Sequence, residues 1–459
     1  MIQNDKKTYG VSKERIEQLF DSATFVELGA YTRRSEVSHD IESVVCGYGA
    51  VNGRLVFAFA QDSGINKGAF GERHAKKIAD MYALAIKNGA PVVGVFDSAG
   101  AVVYDGASAM AAYGRVMKCV SDASGIIPQI ALIGGACTGS AAVLASMLDI
   151  TVTVKDSSKL YVNSPFVTGD NESAALASAS GLSAAEADSE VEAFELVKNL
   201  INTLPHNNAE GAVAFDVNDD INRIVSFDVN NYNISELLAD IADAQSFVRL
   251  YEKYSSNICV GFARFGGVVA GVVASDPSNG GILDIASARV AARMVSFCDS
   301  FGIPVVTLVD SKGLDTSARA EGAAYACELS RLAMAYTSSD NAKVSVVIGA
   351  AYGAAYTLLG SKSLGADIAY ALEDACISVL SPEASVAFLW NDKVGERSRE
   401  DVEAEWKEKY ASAADAAACG EIDDVIEASE LRKRICAALS MLAYKADGAP
   451  SRKHPVMPL

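Results

Sequence analysis

The stretch VSVVIGAAYGAAYTLLGSK, Val344 to Lys362, joins a β-branched apolar run to a series of glycine and alanine residues. The run before Gly349 predicts a buried strand, and the residues after it predict a helix that starts beside that strand. Small residues at such a junction permit tight packing of the helix on the sheet. They also let a ligand approach the backbone, where the first N–H groups of a helix can stabilise negative charge. Taken alone, the stretch leaves both explanations open.

A second copy of the same pattern lies upstream, in QIALIGGACTGSAAVLASMLD, Gln129 to Asp149. Three pairs of landmarks recur in the same order at nearly the same spacing: Gly139 with Gly353 and Asp62 with Asp276, both 214 positions apart, and Pro91 with Pro304, 213 apart. One glycine–alanine cluster could recur by chance. Three landmarks in register indicate that the chain is a duplication.

Both copies predict the same order of elements. A strand ending in Asp leads through a glycine-containing loop to an amphipathic helix, a buried strand, a second helix, another buried strand and the small-residue turn. Alternating strands and helices predict right-handed β-α-β units on a largely parallel sheet, which is an α/β fold. The Asn- and Asp-rich segment 209–246 predicts a linker, and we place the domain boundary inside it, with domains at 1–235 and 236–459.

Length, charge and cysteine usage narrow the class of protein. A chain of 459 residues exceeds one ordinary core. The net charge of −19, with no basic stripe, argues against nucleic acid as a partner. An anionic ligand would need a local basic patch, and the candidates are GERHAKK (Arg73, His74, Lys76 and Lys77) and SRKH (Arg452 to His454).

The nine cysteines are scattered, and none forms a C-x-x-C pair, so we expect neither a zinc ribbon nor a disulfide framework. Free thiols fit a reducing compartment. The start MIQNDKKTYG lacks the apolar region of a secretory signal. These features predict a soluble protein of the cytoplasm.

The chain resembles the carboxyltransferase component of biotin-dependent acyl-CoA carboxylases, a family that includes propionyl-CoA carboxylase β subunits and methylmalonyl-CoA decarboxylase α subunits. Segments along nearly the whole chain carry the resemblance: AQDSGINKGAFGERHAKKI, DSAGA, SGIIPQIALIGGACTGSAA, GGILDIASARVAARMVSFCDSFGIPVVTLVD, AAYGAAYTLLGSKSLGAD, GEIDDVIEASELR and SRKHPVMPL. It implies a duplicated crotonase-like (ClpP/crotonase) fold with two β-β-α superhelix domains. It also implies that the N-terminal half binds acyl-CoA and the C-terminal half binds biotin.

The implied reaction moves CO₂ between a biotin nitrogen and the α-carbon of an acyl-CoA. An enolate forms on one side and a ureido oxyanion on the other, and backbone N–H groups can stabilise both. By resemblance, the N–H groups of Gly139 and Ser140 face the thioester enolate, and those of Ala354 and Ala355 face the biotin carbonyl. No metal is expected.

The charge pattern, the position along the chain and the resemblance together suggest residues that bind substrate. The expected set is Arg73, Lys76 and Lys77 for CoA, Ala99, Gly100 and Ala101 in DSAGA, Tyr352 and Tyr356 beside the C-terminal turn, and Thr357 near the acyl group. Core packing is an equal explanation for the two tyrosines, and a solvated surface is one for the basic residues. A threonine leaves room for a short acyl chain, of about two to four carbons.

No biotinyl-lysine motif and no ATP-grasp signature are present. Biotin is therefore expected on a separate carrier protein, with a biotin carboxylase or membrane decarboxylase subunits as further partners. The family implies a homo-oligomer, a hexamer of three dimers, in which the N-terminal half of one chain faces the C-terminal half of another.

The sequence departs from the family pattern at several places. Val102, Val103, Tyr104 and Asp105 replace an arginine and a Gln-Glu pair, and Ala350 and Ala351 replace an Arg-Lys pair. Two alternatives therefore stay open. One is a catalytically impaired scaffold paired with an active paralogue. The other is a crotonase-fold hydratase or hydrolase, although that chemistry needs an acid or base in a turn and only one fold copy.

Overall fold

The computed structural model describes residues 10–34, 41–169, 173–217, 219–395, 397–446, 456 and 458. The chain forms two compact units, Met1–Gly211 and Ala212–Leu459. The domain boundary expected after residue 235 lies inside the second unit. The segment expected to be a linker contributes Val225 and Leu238 to the core of that unit, so its apolar residues pack there.

The first unit is built on one eight-stranded sheet. Its strands are β1 (Val26–Leu28), β2 (Val44–Val51), β3 (Arg54–Gln61), β4 (Val92–Ser98), β5 (Gln129–Thr138), β6 (Ile150–Val154), β7 (Lys159–Tyr161) and β8 (Ala185–Ala187). They follow the order β1-β2-β3-β4-β5-β6-β8, and β7 pairs with the end of β5. The first three strands are antiparallel, whereas β3, β4, β5, β6 and β8 are parallel.

Seven helices accompany this sheet in the described residues of the first unit. They are α1 (Val11–Leu19), α2 (Glu72–Asn88), α3 (Ala107–Ala123), α4 (Ser140–Ser146), α5 (Pro165–Thr168), α6 (Ala174–Ala179) and α7 (Glu190–Thr203). Helix α2 shows why the amphipathic pattern was predictive. It buries Ile78, Met81 and Tyr82 in the core and ends at Gly89, whose left-handed φ of 59° suits a helix C-terminus.

The second unit has its own eight-stranded sheet and a small two-stranded one. Its strands are β9 (Val248–Leu250), β10 (Ile258–Phe265), β11 (Val268–Ser275), β12 (Ile282–Leu283), β13 (Val305–Ser311), β14 (Gly313–Leu314), β15 (Lys343–Tyr352), β16 (Ile368–Leu372), β17 (Cys376–Ser378) and β18 (Asp424–Ile426). The large sheet runs β9-β10-β11-β13-β15-β16-β18, with β17 beside the end of β15, and β12 pairs with β14. Strand for strand, this order repeats that of the first unit. The duplication predicted from spacing is thus confirmed.

The helices of the second unit are α8 (Ile234–Ile241), α9 (Ile285–Ser300), α10 (Ala318–Gly322), α11 (Tyr325–Ser338), α12 (Gly353–Leu358), α13 (Pro382–Leu389), α14 (Arg399–Tyr410), α15 (Ala413–Ala418) and α16 (Leu431–Met441). Apolar residues of α8 and α16 pack on the sheet as one core. Within the described ranges, no helix has both the length and the apolar character that crossing a bilayer requires.

One carboxylate holds the hairpin loop between the antiparallel strands of each unit. In the second unit, Asp243 accepts hydrogen bonds from the N–H groups of Gly266 and Gly267, at 3.0 and 2.7 Å, and pairs with Arg432 at 2.7 Å. Asp21 holds the first hairpin in the same way. Burial raises the pKa of Asp243, but the N–H donors and the guanidinium outweigh it and hold this pKa below its usual value.

Candidate active site

Both small-residue turns have the same backbone. Strand β5 ends at Thr138, Gly139 follows it with a φ of 59°, and helix α4 begins at Ser140. Strand β15 leads into Gly353, with φ 57°, at the start of α12. A left-handed φ favours glycine at both places. A β-carbon at Gly139 would have the Val162 carbonyl oxygen as its nearest neighbour, at 4.0 Å, and one at Gly353 would lie 3.1 Å from the Val379 carbonyl oxygen.

The backbone N–H groups of these turns differ in whether they already have an acceptor within the fold. The Gly139 N–H donates to the Tyr161 carbonyl at 3.0 Å, so the sheet already uses it. Ser140 is exposed and occupies the first helical position, where an N–H group has no acceptor within the helix. In the second turn Ala354 is exposed and Ala355 is buried. The N-terminal turn can therefore present the Ser140 N–H to a ligand, and Gly139 provides the open approach.

The DSAGA loop lies directly beside the N-terminal turn. Ala99 and Ala101 are exposed, and Gly100 has a φ of 110°. A β-carbon at Gly100 would lie 3.4 Å from the hydroxyl of Thr138, which precedes Gly139. Strands β4 and β5 are parallel neighbours, so their carboxyl ends reach the same edge of the sheet. The structure thus brings together two segments that the sequence assigned to substrate binding.

The basic residues of α2 line a surface cavity of about 700 Å³. Arg73 is partly exposed there, and Lys76 is exposed and pairs with Asp80 one turn away. Lys77 is buried, and its ammonium lies 3.1 Å from the Glu27 carboxylate. The three residues share one cavity, but Lys77 already has an internal partner.

The remaining residues expected in a basic patch are His74 and the segment Arg452 to His454. His74 is fully buried, with Glu42 at 3.5 Å and the Gln61 amide at 3.2 Å. Burial raises the pKa of Glu42, but its interactions with His74 and neighbouring donors bring that pKa below the usual value. His74 thus belongs to the core. Arg452 to His454 lie outside the described residues.

Three predicted residues surround the C-terminal turn. Tyr352 is partly buried and lines a cavity of about 430 Å³. The Tyr356 hydroxyl is buried without a hydrogen-bond partner, and burial raises the pKa of this phenol to about 12. Thr357 is exposed, and its carbonyl accepts a hydrogen bond from the Ser361 hydroxyl at 3.1 Å.

Sequence reasoning missed a buried ion-pair network behind the N-terminal turn. Asp97, at the end of β4, accepts the Ala136 N–H at 3.3 Å and the Arg15 guanidinium at 2.8 Å. Arg15 also donates to Glu190 at 2.6 Å and to the Gly134 carbonyl at 2.7 Å. Burial lowers the pKa of Arg15, but the two carboxylates outweigh it and raise this pKa above its usual value.

Asp310 takes the equivalent place at the end of β13. It accepts the Ala350 N–H at 2.8 Å and the Tyr232 hydroxyl at 2.9 Å. Burial raises the pKa of Asp310, and burial together with this carboxylate raises the pKa of Tyr232. The only sequence signal for these partners was the Asp that ends PVVGVFD and PVVTLVD.

Across the described residues, no three His, Cys, Asp or Glu side chains come together as potential metal ligands. All nine cysteines fall in the described part of the chain and none is in a disulfide.

Two equivalent β-β-α superhelices, each ending a parallel strand in a small-residue turn, place the protein in the class of duplicated crotonase-like proteins. A family model described as carboxyl transferase domain matches residues 3–457. The chain belongs to the carboxyl transferase family, and the resemblance stated from its motifs is confirmed.

Known relatives are similar to this chain over nearly its whole length. The chain is 33% identical over 480 residues to a propionyl-CoA carboxylase carboxyltransferase subunit of Haloferax mediterranei, covering 98% of this chain and 93% of the relative. It is also 33% identical over 475 residues to the methylmalonyl-CoA decarboxylase subunit alpha of Veillonella parvula, with coverage of 98% and 93%. A crystal structure of transcarboxylase 12S, a hexamer with methylmalonyl-coenzyme A and methylmalonic acid bound, matches with a TM-score of 0.92 at 30% identity. That match covers 99% of this chain and 94% of the other.

Proposed function

We propose that the chain is the carboxyltransferase subunit of a biotin-dependent enzyme. It moves a carboxyl group between biotin on a separate carrier protein and the α-carbon of a short-chain acyl-CoA. The observation that carries the proposal is the presence of two equivalent small-residue turns, at Gly139 and Gly353, in one chain. A reaction with charge on a thioester oxygen and on a ureido oxygen uses both turns. A hydratase or hydrolase has one such oxygen and uses one.

In this proposal the N-terminal turn binds the thioester. The Ser140 N–H donates to the thioester oxygen, and its hydrogen bond strengthens as negative charge develops there. Gly139 keeps the approach free of a side chain, and the exposed Ala99 and Ala101 leave the neighbouring edge open to the acyl group. None of these contacts needs a side-chain acid or base.

The C-terminal turn fits a small, neutral, polar ring such as that of biotin. Ala354 is exposed and carries only a methyl group over the backbone, and the adjoining cavity is lined by polar residues such as Asn230, Tyr232 and Tyr352. The N–H groups of Ala354 and Ala355 would hold the ureido oxygen. When bound, biotin supplies the nitrogen that carries the carboxyl group and serves as base.

We infer that the acyl chain is short, with propionyl-CoA and methylmalonyl-CoA as the favoured pair. Relatives named for both compounds cover almost the whole chain. In the proposed assembly the C-terminal half of one chain faces the acyl-CoA half of another, and the small, exposed Thr357 would leave space there for a short acyl group. A pocket that differs by one methylene discriminates by only about 1–3 kcal/mol, so acetyl-CoA and butyryl-CoA should react more weakly.

Arg73 and Lys76 are proposed to attract the CoA phosphates, with Lys77 forming part of the same cavity wall. Lys76→Glu should raise KM for acyl-CoA several-fold and leave kcat unchanged at saturation, because the charge acts on binding alone. Lys118→Glu is the matched control, since Lys118 is also an exposed lysine paired with an aspartate one helical turn away. Equal KM values for the two variants would remove Lys76 from the CoA site.

We further propose a cytoplasmic homo-oligomer, a hexamer as described for transcarboxylase 12S, that meets a biotin carrier protein and either a biotin carboxylase or membrane decarboxylase subunits. Exposed large apolar side chains in both units support assembly, because contacts between subunits often cover such side chains. The exposed set is Val162, Phe166 and Val167 in the first unit and Val379, Phe388 and Leu389 in the second. Light scattering at micromolar concentration should give six copies, and a monomer would contradict this assembly.

The test of the proposed function is transfer of labelled carboxyl from methylmalonyl-CoA to free biotin. The purified chain should produce labelled carboxybiotin and propionyl-CoA in equal amounts, and heat-denatured protein should not. Hydration or hydrolysis of the thioester without label on biotin would instead identify another acyl-CoA enzyme. No reaction with any acyl-CoA from two to four carbons would favour the scaffold alternative.

A further inference from the structure

A carboxylate stands behind each of the two turns, at equivalent positions. Asp97 and Asp310 are 213 positions apart, as the repeat requires, and both are buried. Each accepts a backbone N–H from the residue three positions before the turn glycine, Ala136 in one unit and Ala350 in the other. The same contact, built twice, indicates a shared task.

That task is visible in the pairing of the strands. Between Phe96 and Ser98, β4 advances by two residues while β5 advances by four. Strands β13 and β15 show the same shift, between Val309 and Ser311. A bulge loses ladder hydrogen bonds and re-aims the chain that follows. In each unit the chain that follows is the turn.

The carboxylates fill these bulges. A β-carbon at Gly135 would lie 2.3 Å from an Asp97 oxygen, and one at Gly349 would lie 2.6 Å from an Asp310 oxygen. Glycine is required at both positions because the carboxylate occupies the space of a side chain. The bulge and its carboxylate therefore form one packed unit.

The second oxygen of each carboxylate has a different partner. The second oxygen of Asp97 accepts hydrogen bonds from the Arg15 guanidinium and from the Ser63 hydroxyl, each at 2.8 Å. The second oxygen of Asp310 accepts a hydrogen bond from the Tyr232 hydroxyl. Asp310 also lines the cavity of about 430 Å³, together with Lys312. The C-terminal bulge thus depends on a single carboxylate with a neutral partner, beside a cavity of the proposed biotin side.

We propose that Asp310, oriented by Tyr232, is a positioning residue that holds the Ala350 bulge so that the backbone donors of the C-terminal turn meet their ligand. The proposal rests on the proposed function, since it assigns a role within the same site. Donors act on a developing charge only within tight limits of distance, and a misplacement of about 1 Å can cost on the order of 10²-fold in rate.

The experiment compares Asp310→Ala with Asp310→Asn. Alanine removes the acceptor of the Ala350 N–H, whereas asparagine keeps an oxygen of similar shape. We expect Asp310→Ala to lower kcat for carboxyl transfer about 10- to 100-fold with KM for acyl-CoA unchanged. Asp310→Asn should restore most of the rate. A role in stability alone would give the same kinetics in both variants once they are folded.

Hydrogen exchange provides a readout that does not depend on activity. Amide exchange in the segment 349–353 should be about tenfold faster in Asp310→Ala, as expected for one lost hydrogen bond, and near wild type in Asp310→Asn. Asp243→Asn is the matched control, because it changes another buried aspartate of the same unit that accepts backbone N–H groups away from the turn. It should alter neither exchange in 349–353 nor kcat.

Unchanged exchange and unchanged kcat in Asp310→Ala would overturn the proposal. If Asp310→Ala does not fold, Tyr232→Phe takes its place, with a smaller loss of kcat expected and no loss as the contrary result. A wild-type chain without carboxyl transfer would contradict the proposed function. The exchange measurement would still decide whether Asp310 holds the bulge.

Discussion

The two halves of this chain hold the same turn with different chemistry. In the first unit, Arg15 ties Asp97 to Glu190 through a buried ion-pair network. In the second, the phenol of Tyr232 is the side-chain donor to Asp310. Duplication preserved the backbone and the carboxylate, and left the partner free to change. A common fold can thus hold two equivalent turns through carboxylates that have different side-chain partners.

The largest expected loss of stability comes from breaking the ion pairs of Arg15 with Asp97 and Glu190. Arg15→Ala leaves Asp97 buried without its cation, which typically costs about 3–5 kcal/mol in the free energy of unfolding. Urea unfolding of the first unit measures this loss. Arg115→Ala is the control, because Arg115 is half-exposed and its contact with Glu72 is long, at 3.9 Å, so its loss should cost at most about 1 kcal/mol. Equal losses in the two variants would show that the Arg15 network is not what stabilises this unit.

A smaller loss of stability is expected when a side chain is placed against Asp310, the carboxylate behind the C-terminal turn. Gly349→Ala places a methyl group against Asp310 and should cost about 1–3 kcal/mol in the free energy of unfolding. Combined with Asp310→Ala, the same change should cost much less, because the clash is gone, and a double-mutant cycle measures this coupling.

Gly322→Ala, at an open helical position of the same unit, is the matched control and should not be coupled to Asp310. Strict additivity of Gly349→Ala and Asp310→Ala would contradict the close contact between the two residues.

The smallest effect is a dependence on pH. The native pKa of Asp310 lies above its unfolded value of about 3.9 because burial penalises the charged form, even with Lys312 and Tyr232 nearby. Between these two pKa values the folded chain binds more protons, so the contribution of Asp310 to the free energy of unfolding falls as pH rises. Asp310→Asn removes this contribution and should gain stability relative to wild type from about pH 4 upward.

Asp243→Asn should show the opposite trend. The native pKa of Asp243 is lowered, so its carboxylate stabilises the fold above the unfolded pKa and loses this effect as pH falls. Urea unfolding of both variants across the acidic range tests the pair. Parallel pH trends would contradict the difference between the two carboxylates.

Local sequence patterns predicted the features that depend on local conformation. Gly139 and Gly353 were recognisable because each lies among small residues after a buried strand, and their common spacing revealed the duplication. Their left-handed φ explains why glycine occupies both places. Contacts between distant segments were not predictable in this way. Arg15 reaches Asp97 across 82 positions, and Tyr232 reaches Asp310 across 78.

Gly139 and Lys77 show the same limit of prediction from local sequence. No local pattern indicates that the Tyr161 carbonyl takes the Gly139 N–H, or that Lys77 turns inward to Glu27. Both outcomes depend on strands that pack against the turn or helix only in the folded unit. Spacing indicated where the two turns lie along the chain. Tertiary packing determined which of the expected groups already have a partner inside the fold, such as the Gly139 N–H and the Lys77 ammonium.

Ser140→Pro shows whether a backbone donor of the N-terminal turn acts on the substrate. Proline fits the first helical position of α4 and removes only the N–H, whereas Ser140→Ala keeps it. Labelled carboxyl transfer from methylmalonyl-CoA to free biotin, measured in both variants, isolates the donor. A direct role of the Ser140 N–H predicts a kcat about 10²- to 10³-fold lower for Ser140→Pro than for Ser140→Ala. Equal rates in the two variants would contradict it.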